Sequence, residues 1–225
     1  MSQQLFLLHF AGGNRYSYEF IKPFLNKFSL IVLELPGRGD RIDEALIYNI
    51  EEAVEDIYNQ VLNELDGSKF SIYGHSLGAI LAYLVTIRLE KSHKYPAHLF
   101  LSGKDPVEVR KKRHLLNKED LLRELIKLDG LPAEVANNED FINFFLPIVR
   151  ADFEAAESKI DFTSKVNSPI YAMMGKEEEG ADQIALWVDC TNSDFHFQIF
   201  DGGHFFIHHY PEEISRIIAD KIGDG

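Results

Sequence analysis

Apolar positions along this chain come in two alternating rhythms, short near-continuous runs and longer stripes at three- and four-residue spacing. Leu5 to His9, Leu30 to Leu35, Phe70 to Tyr73, His98 to Leu101, Pro169 to Met174 and His196 to Phe200 have the length and continuity of buried strands. Between the first two runs, Phe20, Phe24 and Phe28 predict a helix that contains Pro23. Ile50, Val54, Ile57, Val61 and Leu65 predict another, opened by the capping pair Asn49 and Glu52 and stopped by Asp66-Gly67. A third runs from Leu77 to Glu90 with no Pro or Gly after Gly78, a fourth lies around Ala181 to Val188, and a closing helix spans Pro211 to Ile222 with proline at its start. Alternation of this kind implies an α/β fold, a mostly parallel sheet with helices on both faces, whose ligands bind beyond the carboxyl ends of the strands.

The alternation stops between about residues 105 and 161, where charged amphipathic stripes replace the strand runs. Asn117 and Asp120 cap a stripe of Leu121, Leu122, Leu125 and Leu128 that Gly130 closes, and Phe141, Phe144, Phe145, Ile148 and Val149 form a second apolar face. The expected organisation is one domain over residues 1–225 with an inserted helical lid at about 105–161. An apolar helical face of this type is ordinary core by default, with an acyl channel as the alternative.

Composition narrows the partners. The chain has 225 residues, 45% of them hydrophobic and 12% aromatic, which is enough for a sizeable core. A net charge of -13 argues against nucleic acid and against an electrostatic hold on anionic membranes. The basic run Arg110-Lys111-Lys112-Arg113 reads as a solvated charge cluster, with docking of an acidic partner as the alternative. Cys190 is the single cysteine, so neither a disulfide framework nor a thiolate metal site is available within one chain. No leader-like N-terminus, membrane-length apolar segment or metal-ligand spacing is evident, and the expectation is a cytoplasmic monomer without metal or cofactor. Arg38-Gly39-Asp40 sits among turn residues after a strand and reads as a turn, not an adhesion signal.

Chemistry enters at Gly74-His75-Ser76-Leu77-Gly78, which joins a buried strand to a helix. A serine in that context is a nucleophile elbow, with glycines where side chains would strike the neighbouring strand and helix. Acyl transfer through a serine also needs a base, an acid that orients the base, and donors for the oxyanion. His204 is the candidate base, because Gly202 and Gly203 set it on a turn after the last strand, whereas His98 and His196 lie in strand runs and His75 points away from the adjacent serine. The acid is open among Glu177, Glu178, Glu179 and Asp182 after the fifth strand and Asp105 after the fourth. The order serine, carboxylate, histidine is that of α/β-hydrolases, where an early glycine-bearing loop such as Ala11-Gly12-Gly13-Asn14 supplies an oxyanion donor.

The chain resembles type II thioesterases, the stand-alone editing hydrolases of nonribosomal peptide and polyketide synthesis, over nearly its whole length. The resemblance rests on His9-Phe10-Ala11-Gly12-Gly13, Leu35-Pro36-Gly37-Arg38-Gly39, the elbow, Leu146 to Phe153 (LPIVRADF) and Gly202-Gly203-His204-Phe205-Phe206. It implies an α/β-hydrolase fold. It also implies release of acyl or aminoacyl groups from the phosphopantetheine arm of an acyl or peptidyl carrier protein, with Ser76 as nucleophile and His204 as base. Backbone N–H groups of Leu77 and Ala11 would be the oxyanion donors, and the family's acid falls on Glu178, where an aspartate is usual. Two other readings stand beside hydrolysis: an acyltransferase working between carriers, and a carrier-binding protein with a defective triad.

Overall fold

The computed structural model describes residues 2–107, 111–132 and 134–223. Six parallel strands form one sheet in the order β2-β1-β3-β4-β5-β6, with β1 at Gln4–Leu8, β2 at Ser29–Leu33, β3 at Phe70–His75, β4 at Leu99–Ser102, β5 at Ile170–Gly175 and β6 at Phe195–Phe200. Every run singled out in the sequence contributes a strand, with ends displaced by one or two residues. The central runs are continuous because both sheet faces are covered. Along β1, Phe6 and Leu8 enter one apolar core while Leu5 and Leu7 enter the other.

On the first face lie α1 (Ile50–Glu64) and α2 (Leu77–Lys91). Asn49 caps α1 by accepting from the N–H groups of Glu51 and Glu52, and Ile50, Val54, Ile57 and Val61 face inward. Helix α2 is buried on almost every side, so its sequence carries no polar face to mark the outside. Its buried Glu90 is satisfied by the N–H groups of Asn167 and Ser168 and by the Ser168 hydroxyl. On the second face, α5 (Pro211–Gly223) contributes Ile214, Ile218 and Ile222.

Two expected helices take another form. Where Phe20, Phe24 and Phe28 predict a helix, the chain makes turns and one three-residue 3₁₀ turn at Lys22–Phe24. Pro23 has no N–H to give and its ring would strike the carbonyl four residues back. Tyr18, Ile21 and Leu25 fill the core there, and Phe24 is exposed. The segment Ala181–Cys190 is a 3₁₀ helix whose buried residues Ile184, Trp187 and Cys190 recur every third position, matching three residues per turn.

Between β4 and β5 the chain forms α3 (Lys118–Lys127) and α4 (Glu139–Ala156), capped by Asn117 and Asn138. Leu121, Leu125, Ile142, Leu146, Val149 and Phe153 pack into a third apolar cluster. Phe144, expected on that apolar face, is half exposed. Of the basic run, Arg110 lies outside the described residues, Lys111 pairs with Glu179, and Arg113 pairs with Glu157. Among the described residues no helix is long and apolar enough to cross a membrane.

The junction of β3 and α2 depends on two missing side chains. A methyl group on Gly74 would overlap the carbonyl of Gly78, and one on Gly78 would overlap the carbonyl of Leu8 in β1. Backbone cannot yield as a flexible side chain does. Gly78→Ala is expected to cost stability at the upper end of the about 1–3 kcal/mol typical of overpacking, read as a lower urea midpoint.

Candidate active site

Ser76 occupies the turn between β3 and α2 with φ of 57° and ψ of -115°, a conformation unusual for a side chain other than glycine. Its N–H donates to the Ser102 carbonyl at 2.8 Å, tying the turn to β4. Strained backbone held by both neighbouring strands presents the hydroxyl at the carboxyl end of the sheet, as an elbow requires.

His204 stands on the turn after β6. A methyl group on Gly175, at the end of β5, would overlap the Gly203 carbonyl, so the loops after β5 and β6 are in direct backbone contact. That contact brings Glu178 to His204: Nδ1–H donates to Glu178 Oε2 at 2.5 Å, while Oε1 accepts the Gly175 N–H at 2.8 Å. Both side chains are largely buried, 14% exposed for His204 and 7% for Glu178. With Nδ1 committed to the carboxylate, Nε2 is the nitrogen left for chemistry, and Ser76 and His204 line one cavity.

The remaining candidate acids lie elsewhere. Glu177 and Asp182 are exposed, Glu179 pairs with Lys111, and Asp105 accepts from Lys104 Nζ at 2.5 Å. Of the other histidines, His75 is fully buried, its Nδ1 lies 2.8 Å from Ser102 Oγ, and its ring centroid is 4.9 Å from that of His204. Burial, then the neighbouring histidines, hold His75 well below the usual imidazole range, so it is a neutral platform beneath His204.

The loop after β1 carries Ala11 against the same cavity. Gly12 has φ of 75°, and a side chain there would run into Phe145 and Val149 of α4, so glycine lets α4 close onto the loop. The N–H groups of Ala11 and of Leu77, in the first turn of α2, have no acceptor among the described residues.

A buried ion pair secures that loop. Asp152 of α4 receives two hydrogen bonds from Arg38, at 2.6 and 2.8 Å, and a third from the Gly12 N–H at 2.7 Å. Both charged side chains are out of solvent, 3% and 0% exposed. Arg38, the first residue of the Arg-Gly-Asp turn, is therefore inaccessible to any adhesion partner. Its partnership with Asp152, across 114 residues, had no signal in local spacing.

His9 completes the support from β1's end, its Nδ1–H donating to the Phe10 carbonyl at 2.8 Å and Nε2 accepting the Leu35 N–H at 3.2 Å. That pattern needs a neutral ring. Burial, followed by the Arg38 charge, pushes its pKa from 6.5 down to about 4. The unfolded chain binds a proton in this interval and the folded chain does not, so the stability from His9 is full above pH 6.5 and lost as pH falls toward 4. The expected loss is about 3 kcal/mol from this buried ring, seen as falling urea midpoints and flattened in His9→Gln.

The cavity above Ser76 is walled by Phe10, Phe145, Phe153 and Phe205 and has a volume of about 20 Å³, little more than one water. A larger groove of about 200 Å³ involves His98, Asp194, His196 and Lys221, at the opposite ends of the strands from Ser76. Among the described residues no three His, Cys, Asp or Glu side chains group as metal ligands.

Known proteins resemble this chain in sequence and in fold. The gramicidin S biosynthesis protein GrsT of Aneurinibacillus migulanus is 30% identical, the match covering 97% of this chain and 88% of that protein. The type II thioesterase BorB from the borrelidin biosynthetic cluster superposes with a TM-score of 0.88 at 29% identity, over 98% of this chain and 93% of BorB. ClbQ from the colibactin NRPS/PKS pathway gives 0.90 at 28% identity, over 100% of this chain and 98% of its own. The family model described as thioesterase domain matches residues 3–222. With that match spanning nearly every residue that builds the sheet and the cavity, the chain belongs to the thioesterase family of α/β-hydrolases.

Proposed function

We propose that this thioesterase hydrolyses acyl or aminoacyl groups held on the phosphopantetheine arm of a carrier protein, with Ser76 as nucleophile, His204 as base and Glu178 as orienting acid. The observation that carries the reading is the Glu178–His204 bond, with Ser76 and His204 on one cavity. Relatives named for gramicidin S biosynthesis and for the colibactin NRPS/PKS pathway support the carrier-bound substrate.

In this mechanism His204 Nε2 takes the Ser76 proton as Oγ attacks the thioester carbonyl, and the imidazolium is stabilised by Glu178. The N–H groups of Leu77 and Ala11 receive the oxyanion, the first aided by the positive end of α2. The thiolate leaves with the proton from His204, and water, activated by the same nitrogen, releases the acid. Residues at about 105–161 act as a lid over one domain, a role supported by α3 and α4 walling the cavity. The enzyme works as a monomer, and its charge of -13 argues against nucleic acid and against an electrostatic hold on anionic membranes.

The test is mass spectrometry of acyl-loaded carrier incubated with wild type and with Ser76→Ala, with an empty second carrier present. Free acid from wild type alone is the expected result. Acyl groups appearing on the second carrier would replace hydrolysis with transfer, and unchanged carrier in both reactions would leave only carrier binding.

A further inference from the structure

We propose that Arg113 selects acyl groups bearing a neutral acceptor oxygen, a ketone, hydroxyl or amide carbonyl, beyond the thioester carbonyl. The inference rests on the thioesterase reading of Ser76 and His204. Among the described residues, Arg113 is the one Lys, Arg, Asp or Glu residue lining their cavity, in a wall otherwise built largely from aromatic and leucine side chains.

Its guanidinium is held in place from two sides. Nε donates to Glu157 Oε1 at 2.6 Å, and the guanidinium carbon lies 4.5 Å from the centroid of the Phe153 ring, itself part of the cavity wall. Glu157 has a fully buried side chain, and its second oxygen accepts from His114 Nδ1 at 2.9 Å. A side chain fixed through Nε keeps its two terminal nitrogens free, and these make no hydrogen bond to a described residue. At a 20% exposed position those four N–H donors can turn from solvent to an acceptor on a substrate.

The chemistry of that acceptor follows from charge. Glu157 already balances Arg113, so the site has no surplus of positive charge calling for a carboxylate, whereas a neutral oxygen satisfies the donors at no cost in burying charge. A hydrocarbon chain of the same shape would cover the donors without pairing them. Discrimination by unpaired polar groups is much stronger than discrimination by an extra methylene.

The experiment compares 4-oxopentanoyl and 4-methylpentanoyl thioesters of pantetheine, which differ by oxygen against methyl, each rate divided by its uncatalysed hydroxide rate. Wild type is expected to favour the oxo substrate by about tenfold or more in kcat/KM, the scale of one hydrogen bond to a charged group, and Arg113→Met to bring the ratio to about one. Where Arg113→Met melts early because Glu157 is left unpaired, the double variant Arg113→Met/Glu157→Gln gives the same readout. Equal use of both substrates by wild type, or a ratio that survives loss of the guanidinium, overturns the inference and leaves the thioesterase reading intact. Hydrolysis of neither by wild type, with the same acyl groups also offered on a carrier protein, would remove both.

Discussion

Ser76→Ala is expected to lower turnover of an acyl-carrier thioester by about 10⁶-fold and Glu178→Gln by about 10⁴-fold, while Asp105→Asn stays within about twofold of wild type. The glutamine effect follows from how Glu178 is held. Its Oε1 accepts the Gly175 N–H, so a glutamine keeps that bond by placing its carbonyl oxygen there and turning its NH₂ toward His204 Nδ1. Nδ1 must then accept, the ring proton moves to Nε2, and the nitrogen needed to deprotonate Ser76 is blocked. Asp105 serves Lys104 instead. Steady-state kinetics on a loaded carrier, with labelling by an active-site serine probe, decide the matter. Wild-type rates from Glu178→Gln would sink the assignment of the acid.

Arg38→Met is expected to destabilise the fold by about 3–5 kcal/mol, because it strands Asp152 as an unpaired charge in the interior. The remaining Gly12 N–H is one donor against a carboxylate that had three hydrogen bonds. Urea titration at neutral pH measures the loss. Adding Asp152→Leu should return much of it, since burying two apolar groups removes the desolvation cost of the ion pair. The double variant also separates stability from catalysis: it restores packing while leaving the Gly12 N–H without its acceptor, so the loop bearing Ala11 is no longer pinned. Recovery of stability without recovery of kcat is the expected pattern, and full recovery of both would show that the pair serves the fold alone.

What could be read from the chain was what leaves a local mark. Runs such as Leu5 to His9 and Pro169 to Met174 announced strands because both sheet faces are covered, and Gly74 and Gly78 marked the elbow because backbone passes where their side chains would be. Residues that act across sequence distance were not legible. Arg38 read as part of a turn, and His75 as a neighbour pointing away, although its buried ring lies beneath His204. Among Glu177, Glu178 and Glu179 residue type and spacing alone make no choice, since adjacent loop carboxylates are alike to them. The family resemblance fell on Glu178, and it is Glu178 that packs against the imidazole. The failure at Phe20, Phe24 and Phe28 has the opposite cause, a convincing period on a segment whose proline vetoes the helix.

Helix α4 supplies the cavity with Phe145 and Phe153 and, from the same rigid body, the Asp152 anchor of the loop that carries Ala11. Evolution of acyl preference is therefore constrained unequally around one chamber. Changes on α4 that enlarge or reshape its wall risk disarming the catalyst, because a tilt of the helix is passed directly to Gly12. Leu125 of α3 and the adjoining Leu128 border the same space without that burden, since the polar side chains of α3 pair at the surface. Adaptive variation in what this enzyme accepts should accumulate on α3, and α4 should change slowly even where its side chains touch nothing but hydrocarbon.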